Sequence, residues 1–187
     1  MDRRKALMQI GMSMGYVVVA PTFMSVLQSC KDTKETTWVP QFLDQDQGAT
    51  LIGFVDSILP KTDTLSASEV NVHIFLDSFA NEVMTPKQRD QFKATLNQLA
   101  SNALASSKKE NIHDLTAADL APEIRKALTD KMAKGVPFVK RLRDLTIWGY
   151  KCTEYVGEEV LAYDSIPGQY IPCGDLDELT GGKAWSI

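Results

Sequence analysis

The chain lacks the sequence motifs by which common redox and hydrolytic sites are recognised. No Gly-x-Gly-x-x-Gly run precedes a helix, which excludes a Rossmann flavin or nicotinamide site. No Cys-x-x-Cys-His is present, so no c-type haem is attached covalently. Cysteine is scarce, and Cys30, Cys152 and Cys173 cannot give a cubane cluster its four thiolates. The two histidines, His73 and His113, lie too far apart in sequence to argue a shared metal site, and residues 44–187 hold no Gly-x-Ser-x-Gly elbow. Basic residues are not in excess: the net charge is −4 and no basic stripe stands out, so nucleic acid is not an expected partner. Internal repeats, low-complexity tracts and convincing strand alternation are also missing. No catalytic, cofactor-binding or metal-ligating residue is assigned.

What is present begins at the N-terminus. Arg3-Arg4, followed by Lys5-Ala6-Leu7, is close to the pattern read by the twin-arginine export machinery, which carries folded cargo. The apolar stretch behind it is diluted by Gly11, Ser13, Gly15 and Pro21. A spanning helix needs about 20 strongly apolar residues, so residues 1–29 are expected to be a removable leader. Leu27-Gln28-Ser29-Cys30 resembles a lipobox, with Leu27 three residues before the cysteine and small Ser29 one before. Acylation at Cys30 would anchor the chain through about 0.8 kcal/mol per buried CH2. A plain signal peptide cut nearby, with Cys30 incidental, is the alternative. Residues 30–43 are expected to be a polar tether, and residues 44–187 one domain. The leader carries Asp2, Arg3, Arg4 and Lys5, so the rest of the chain is more acidic than the whole.

The domain reads as helical. Leu51, Ile52, Val55, Ile58 and Leu59 mark one face of a helix over 46–59, ended by Pro60. Val72, Phe75, Leu76, Phe79 and Val83 mark a second over 70–84. Thr85-Pro86-Lys87-Gln88 is a helix start, with a capping Thr, a Pro suited to the first turn and a Gln able to close a capping box. That helix runs toward Ser106 with Phe92, Leu96, Leu99 and Ala103 inward. Thr116-Ala117-Ala118-Asp119 is another start, and Pro122 marks the first turn of a helix holding Ile124, Leu128 and Met132. Gly135 and Pro137 break it. A final helical region over 138–160 carries Leu142, Leu145, Trp148, Tyr155 and Val160, hinged near Gly149. The tail from Tyr163 is irregular and rich in Pro and Gly. The predicted fold class is all-α, an irregular orthogonal helical array with a Pro/Gly-rich C-terminal tail.

Individual residues get a structural reading first. His73 is placed on the polar side of its helix; as an alternative it is an acid or base facing a partner's cofactor. Asp77 is read as a solvated helix acid, His113-Asp114 as a capping turn, and Thr62-Asp63-Thr64 as a turn held by its own side chains. Cys152 and Cys173 have three options open: an internal disulfide contributing about 2–4 kcal/mol, free thiols, or a bridge to a partner chain. Trp148, Tyr150, Tyr163, Tyr170 and Trp185 concentrate aromatic area near the C-terminus. Core packing accounts for some of it and a partner surface for the rest.

Leu59-Pro60-Lys61-Thr62-Asp63-Thr64, then Ala67, Val72 and Phe75-Leu76-Asp77, resemble the opening motif of the gluconate 2-dehydrogenase subunit 3 family. In that family the run reads Pro-x-Thr-Asp-Thr-Pro-Gly-Ala, then a Gly-Val and a Phe-Ile-Asp. Trp148-Gly149-Tyr150, Tyr163, Pro167-Gly168-x-Tyr170, Cys173 and Gly181-Gly182-Lys183-Ala184-Trp185 resemble its closing segment. Leu65-Ser66 departs from the family's Pro-Gly, and Val70-Asn71 from its Ala-Gly. The resemblance implies a non-catalytic small subunit of a membrane-associated sugar or polyol dehydrogenase. It would bind, help mature and co-export a flavoprotein of the glucose-methanol-choline type that holds FAD. A cytochrome c subunit with haem c is a further implied partner. The expected location is periplasmic, as an exported, membrane-anchored lipoprotein. The alternatives are a stand-alone lipoprotein scaffold, or an autonomous hydrolase using Asp63 or His73.

Overall fold

The computed structural model describes residues 38–129, 138–164, 166, 168, 171 and 173–185. The chain divides into two units, Met1–Trp38 and Val39–Ile187. Apart from Trp38, the described residues belong to the second. Arg3, Arg4, Cys30, Met132, Gly135, Pro137, Pro167 and Tyr170 lie outside the described residues.

The described part is helical, as expected: α1 Gln45–Ile58, α2 Val72–Glu82, α3 Pro86–Ser107, a 3-10 turn Ile112–Asp114, α4 Ala117–Thr129, α5 Val139–Lys151, a π-helical turn Tyr155–Val160 and α6 Leu176–Thr180. No strand forms among the described residues; one isolated parallel bridge joins Ala162 and Trp185. None of these helices is long and apolar enough to cross a membrane.

α1 is the central element and meets every other major helix. Asp44 caps it, its carboxylate accepting from the Gln47 N–H at 2.8 Å while the Gln47 side chain accepts from the Asp44 N–H at 3.3 Å. Leu51, Phe54 and Val55 are wholly buried. The sequence reading missed Phe54 and Gly53 on this face; Ile52, Ile58 and Leu59, which it placed inward, are half-buried. A Cβ on Gly53 would stand 2.6 Å from Leu120 Cδ1. The absence of a side chain there lets α4 lie close, and the Ser57 hydroxyl donates across to the Ala117 carbonyl at 2.7 Å.

α3 begins where the sequence predicts. Gln88 Oε1 accepts from the Thr85 N–H at 3.0 Å and from its hydroxyl at 2.9 Å, with Pro86 in the first turn. Phe92, Leu96, Leu99 and Ala103 are buried as expected. α4 starts at Ala117, not at Pro122. Asp119 explains this: its carboxylate accepts from the Thr116 N–H at 2.8 Å and from the Thr116 hydroxyl at 2.6 Å. The Lys109 ammonium, 2.6 Å away, and these Thr116 donors hold the Asp119 carboxyl well below the usual carboxylate range. Pro122 sits inside the helix. α5 also runs straight through Gly149; the break falls after Lys151, ahead of the π-helical turn. The tail, expected to be irregular, contains α6.

Candidate functional site

Two regions carry the residues singled out above: the junction of α2, the 60–71 loop and α5, and the C-terminal tail.

α2 begins after Asn71, which adopts the left-handed conformation at φ 62°. Asparagine and glycine are the residues that reach this region at least cost. The buried face of α2 holds Val72, His73, Leu76, Asp77 and Ala80. His73 therefore does not lie on a polar side, and Asp77 is not a solvated acid. Asp77 is 1% exposed and its two oxygens accept from the backbone N–H groups of Gln41 at 2.7 Å, Phe42 at 3.3 Å and Leu43 at 3.0 Å. A buried carboxylate is tolerated when donors surround it. The Phe42 ring lies beneath Lys93 Nζ at 4.1 Å and near the Arg89 guanidinium at 5.8 Å. The last residues of the expected tether are thus strapped to the domain, and Leu43 is buried. Burial lowers the His73 imidazole from its ordinary value, with the Asp56 carboxylate opposing.

The 60–71 loop is held from both ends. The Asp56 carboxylate accepts from the Ser68 N–H and hydroxyl at 2.8 and 2.7 Å. Glu69 accepts from the Ser66 N–H at 2.8 Å and pairs with Lys61 at 2.5 Å; these two contacts lower its carboxyl. Leu65 is clasped by two tyrosines distant in sequence. The Tyr150 hydroxyl donates to the Leu65 carbonyl at 2.7 Å, and the Leu65 N–H donates to the Tyr155 hydroxyl at 3.2 Å. Thr62 and Thr64 bond each other at the tip, as the turn reading expects, and Asp63 is exposed there.

Trp148-Gly149-Tyr150 gives each residue its own task at this junction. Tyr150 makes the clasp. A Cβ on Gly149 would stand 2.8 Å from the Phe75 ring, so glycine is what lets α5 settle on α2. Trp148 meets Phe75 and Phe79 edge-on, with ring centroids at 5.4 and 6.1 Å, and remains 51% exposed.

The tail is closed on itself. The Ala162 N–H donates to the Ala184 carbonyl at 2.8 Å, and the Lys183 ammonium to the Glu159 carbonyl at 2.6 Å. Gly181 and Gly182, both at positive φ, make the turn out of α6 that permits this return. Tyr163, Ile166, Ile171, Leu176, Leu179 and Trp185 all stay exposed. Cys152 and Cys173 are exposed free cysteines in this structure. Of the five aromatic residues read as a partner surface, Trp148, Tyr163 and Trp185 are exposed, Tyr150 is half-buried by its clasp, and Tyr170 is outside the described residues. No group of three or more His, Cys, Asp or Glu among the described residues could hold a metal ion.

A family model described as gluconate 2-dehydrogenase subunit 3 matches residues 45–168, well over half of the chain. The chain belongs to the gluconate 2-dehydrogenase subunit 3 family. No curated protein and no solved structure matches it. The match ends at residue 168, so the likeness drawn from Cys173 and Gly181-Gly182-Lys183-Ala184-Trp185 lies beyond it. The description of that family is of a dehydrogenase subunit. The chain's two departures from the resembling motif have local explanations. Asn71 fills a left-handed site where a glycine would be expected. Leu65 has an N–H that a proline would lack, and Tyr155 meets it.

Proposed function

We propose that this chain is the non-catalytic subunit that binds, helps mature and co-exports a flavin-dependent sugar or polyol dehydrogenase of the glucose-methanol-choline type. The family match over residues 45–168 carries the reading. The exposed apolar residues of α5 and the tail support it, because Trp, Tyr and Ile held at a surface are the residues that partner interfaces bury. In this reading Arg3 and Arg4 address the complex to the twin-arginine machinery, and Cys30 is acylated and holds it at the periplasmic face of the membrane. FAD resides in the large subunit, and a cytochrome c subunit with haem c receives the electrons. No catalytic residue is assigned to this chain.

The test is affinity capture of the exported protein, with mass spectrometry of what accompanies it and a flavin absorbance spectrum. The expected result is a stoichiometric flavoprotein that stays in the cytoplasm when Arg3 and Arg4 are replaced by Lys. Recovery of a colourless, solitary chain would overturn the reading in favour of a stand-alone lipoprotein.

A further inference from the structure

α5 breaks a helix rule in its first turn. Lys140 and Arg141 directly follow Val139, and no acidic residue shares that turn. The unbonded N–H groups at a helix N-terminus disfavour cations there. Both side chains are exposed, and within the described residues neither makes a hydrogen bond or ion pair. They begin a solvent-facing stripe of Lys140, Arg141, Asp144, Ile147, Trp148 and Lys151, spaced i, i+1, i+4, i+7, i+8, i+11 along one face. The charge of Asp144 is met by Arg143 at 2.7 Å. The stripe is therefore cationic on a chain whose net charge is −4. At its middle Ile147 is 38% and Trp148 51% exposed, the latter propped on Phe75 and Phe79.

Among the described residues nothing offsets this broken rule, and such local inconsistencies gather at functional surfaces. Trp and Arg, both present on this stripe, are the residue types in which binding hot spots are enriched. We propose that this face of α5 docks the large subunit, which presents an apolar pocket for Trp148 and an acidic rim for Lys140, Arg141 and Lys151. This rests on the subunit reading above. A protein fits better than a lipid surface. Membrane-lying helices offer a broad apolar face, whereas the apolar face of α5, with Val139, Leu142 and Leu145, is turned inward and buried.

The test is co-expression of the full chain with the large subunit, purification through a tag on the latter, and binding titrations at low and high salt. Lys140→Glu with Arg141→Glu is expected to weaken the complex at least about tenfold at low salt and to flatten its salt dependence. The same variant should melt no lower than wild type, since acids now stand at the helix N-terminus. Those opposite signs separate docking from damage to the fold. Trp148→Ala is expected to weaken binding by about thirtyfold or more. If the wild-type chain does not hold the large subunit, the subunit reading fails and this inference with it. If it does and the variants bind equally well, only this inference is overturned. It is likewise overturned if the variants keep the large subunit but lose binding to phosphatidylglycerol vesicles, or lose only self-association.

Discussion

α1 and the C-terminal tail are both rich in apolar residues, and they place them oppositely. Leu51, Phe54 and Val55 of α1 have no exposed surface, whereas Tyr163 is 59% and Ile166 82% exposed. The difference is one of neighbours. α1 presents its apolar residues along one face, and α2, α3, α4 and α5 all pack against this helix. Among its described residues the tail has a five-residue helix, one bridge and a lysine at its neck, little regular structure to fold those side chains inward. Apolar content alone therefore does not make a core. A periodic face with partners does, and an apolar segment without them remains available to another chain.

The largest test of that contrast is Phe54→Ala. Loss of a fully buried ring should cost about 3–5 kcal/mol in denaturant unfolding; a cost under 1 kcal/mol would mean that α1 is not the centre of the core. Asp77→Ala comes next. It strips the acceptor from the N–H groups of Gln41, Phe42 and Leu43, and about 2–3 kcal/mol should be lost. Amide exchange at those three positions should accelerate ahead of exchange in α1. His73 predicts a pH effect. Its folded-state pKa is lowered, so the unfolded chain binds the proton more readily. Stability is then full above the ordinary value of 6.5 and declines as the pH falls below it toward the lowered folded value. His73→Gln should flatten that part of the stability profile, and an unchanged slope would reject the assignment. The smallest expected effect is at Ile166→Ser, within about 0.5 kcal/mol. A large loss there would show that the tail is part of the core after all.

Much of the fold was legible in the sequence because it is written in short-range chemistry. Thr85-Pro86-Lys87-Gln88 announces α3, and the spacing of Phe92, Leu96, Leu99 and Ala103 marks its buried face. What was not legible depends on contacts made across the chain. Asp77 and His73 look like surface residues by polarity, and only the strap at residues 41–43 explains why a carboxylate can sit inside. Pro122 looks like a helix start until Lys109 and Thr116 are seen to converge on Asp119. At the junction, Tyr150 and Tyr155 reach Leu65 over 85 and 90 residues, a link that no local pattern encodes. The basic first turn of α5 was visible in the sequence. Its meaning was not, because it needed the knowledge that nothing within the described fold neutralises it.

The strap also decides how the domain answers a mechanical load. A pull on the chain ahead of Val39 does not reach the first turn of α1 directly. It loads the hydrogen bonds from Gln41, Phe42 and Leu43 to Asp77 together, and passes sideways into the middle of α2. Three bonds sharing one carboxylate must stretch before Asp44 is displaced from its capping position. Asp77 thus works as a strain relief, like the clamp where a cable enters its housing: it takes up tension at the domain boundary and leaves the packing of α1 undisturbed.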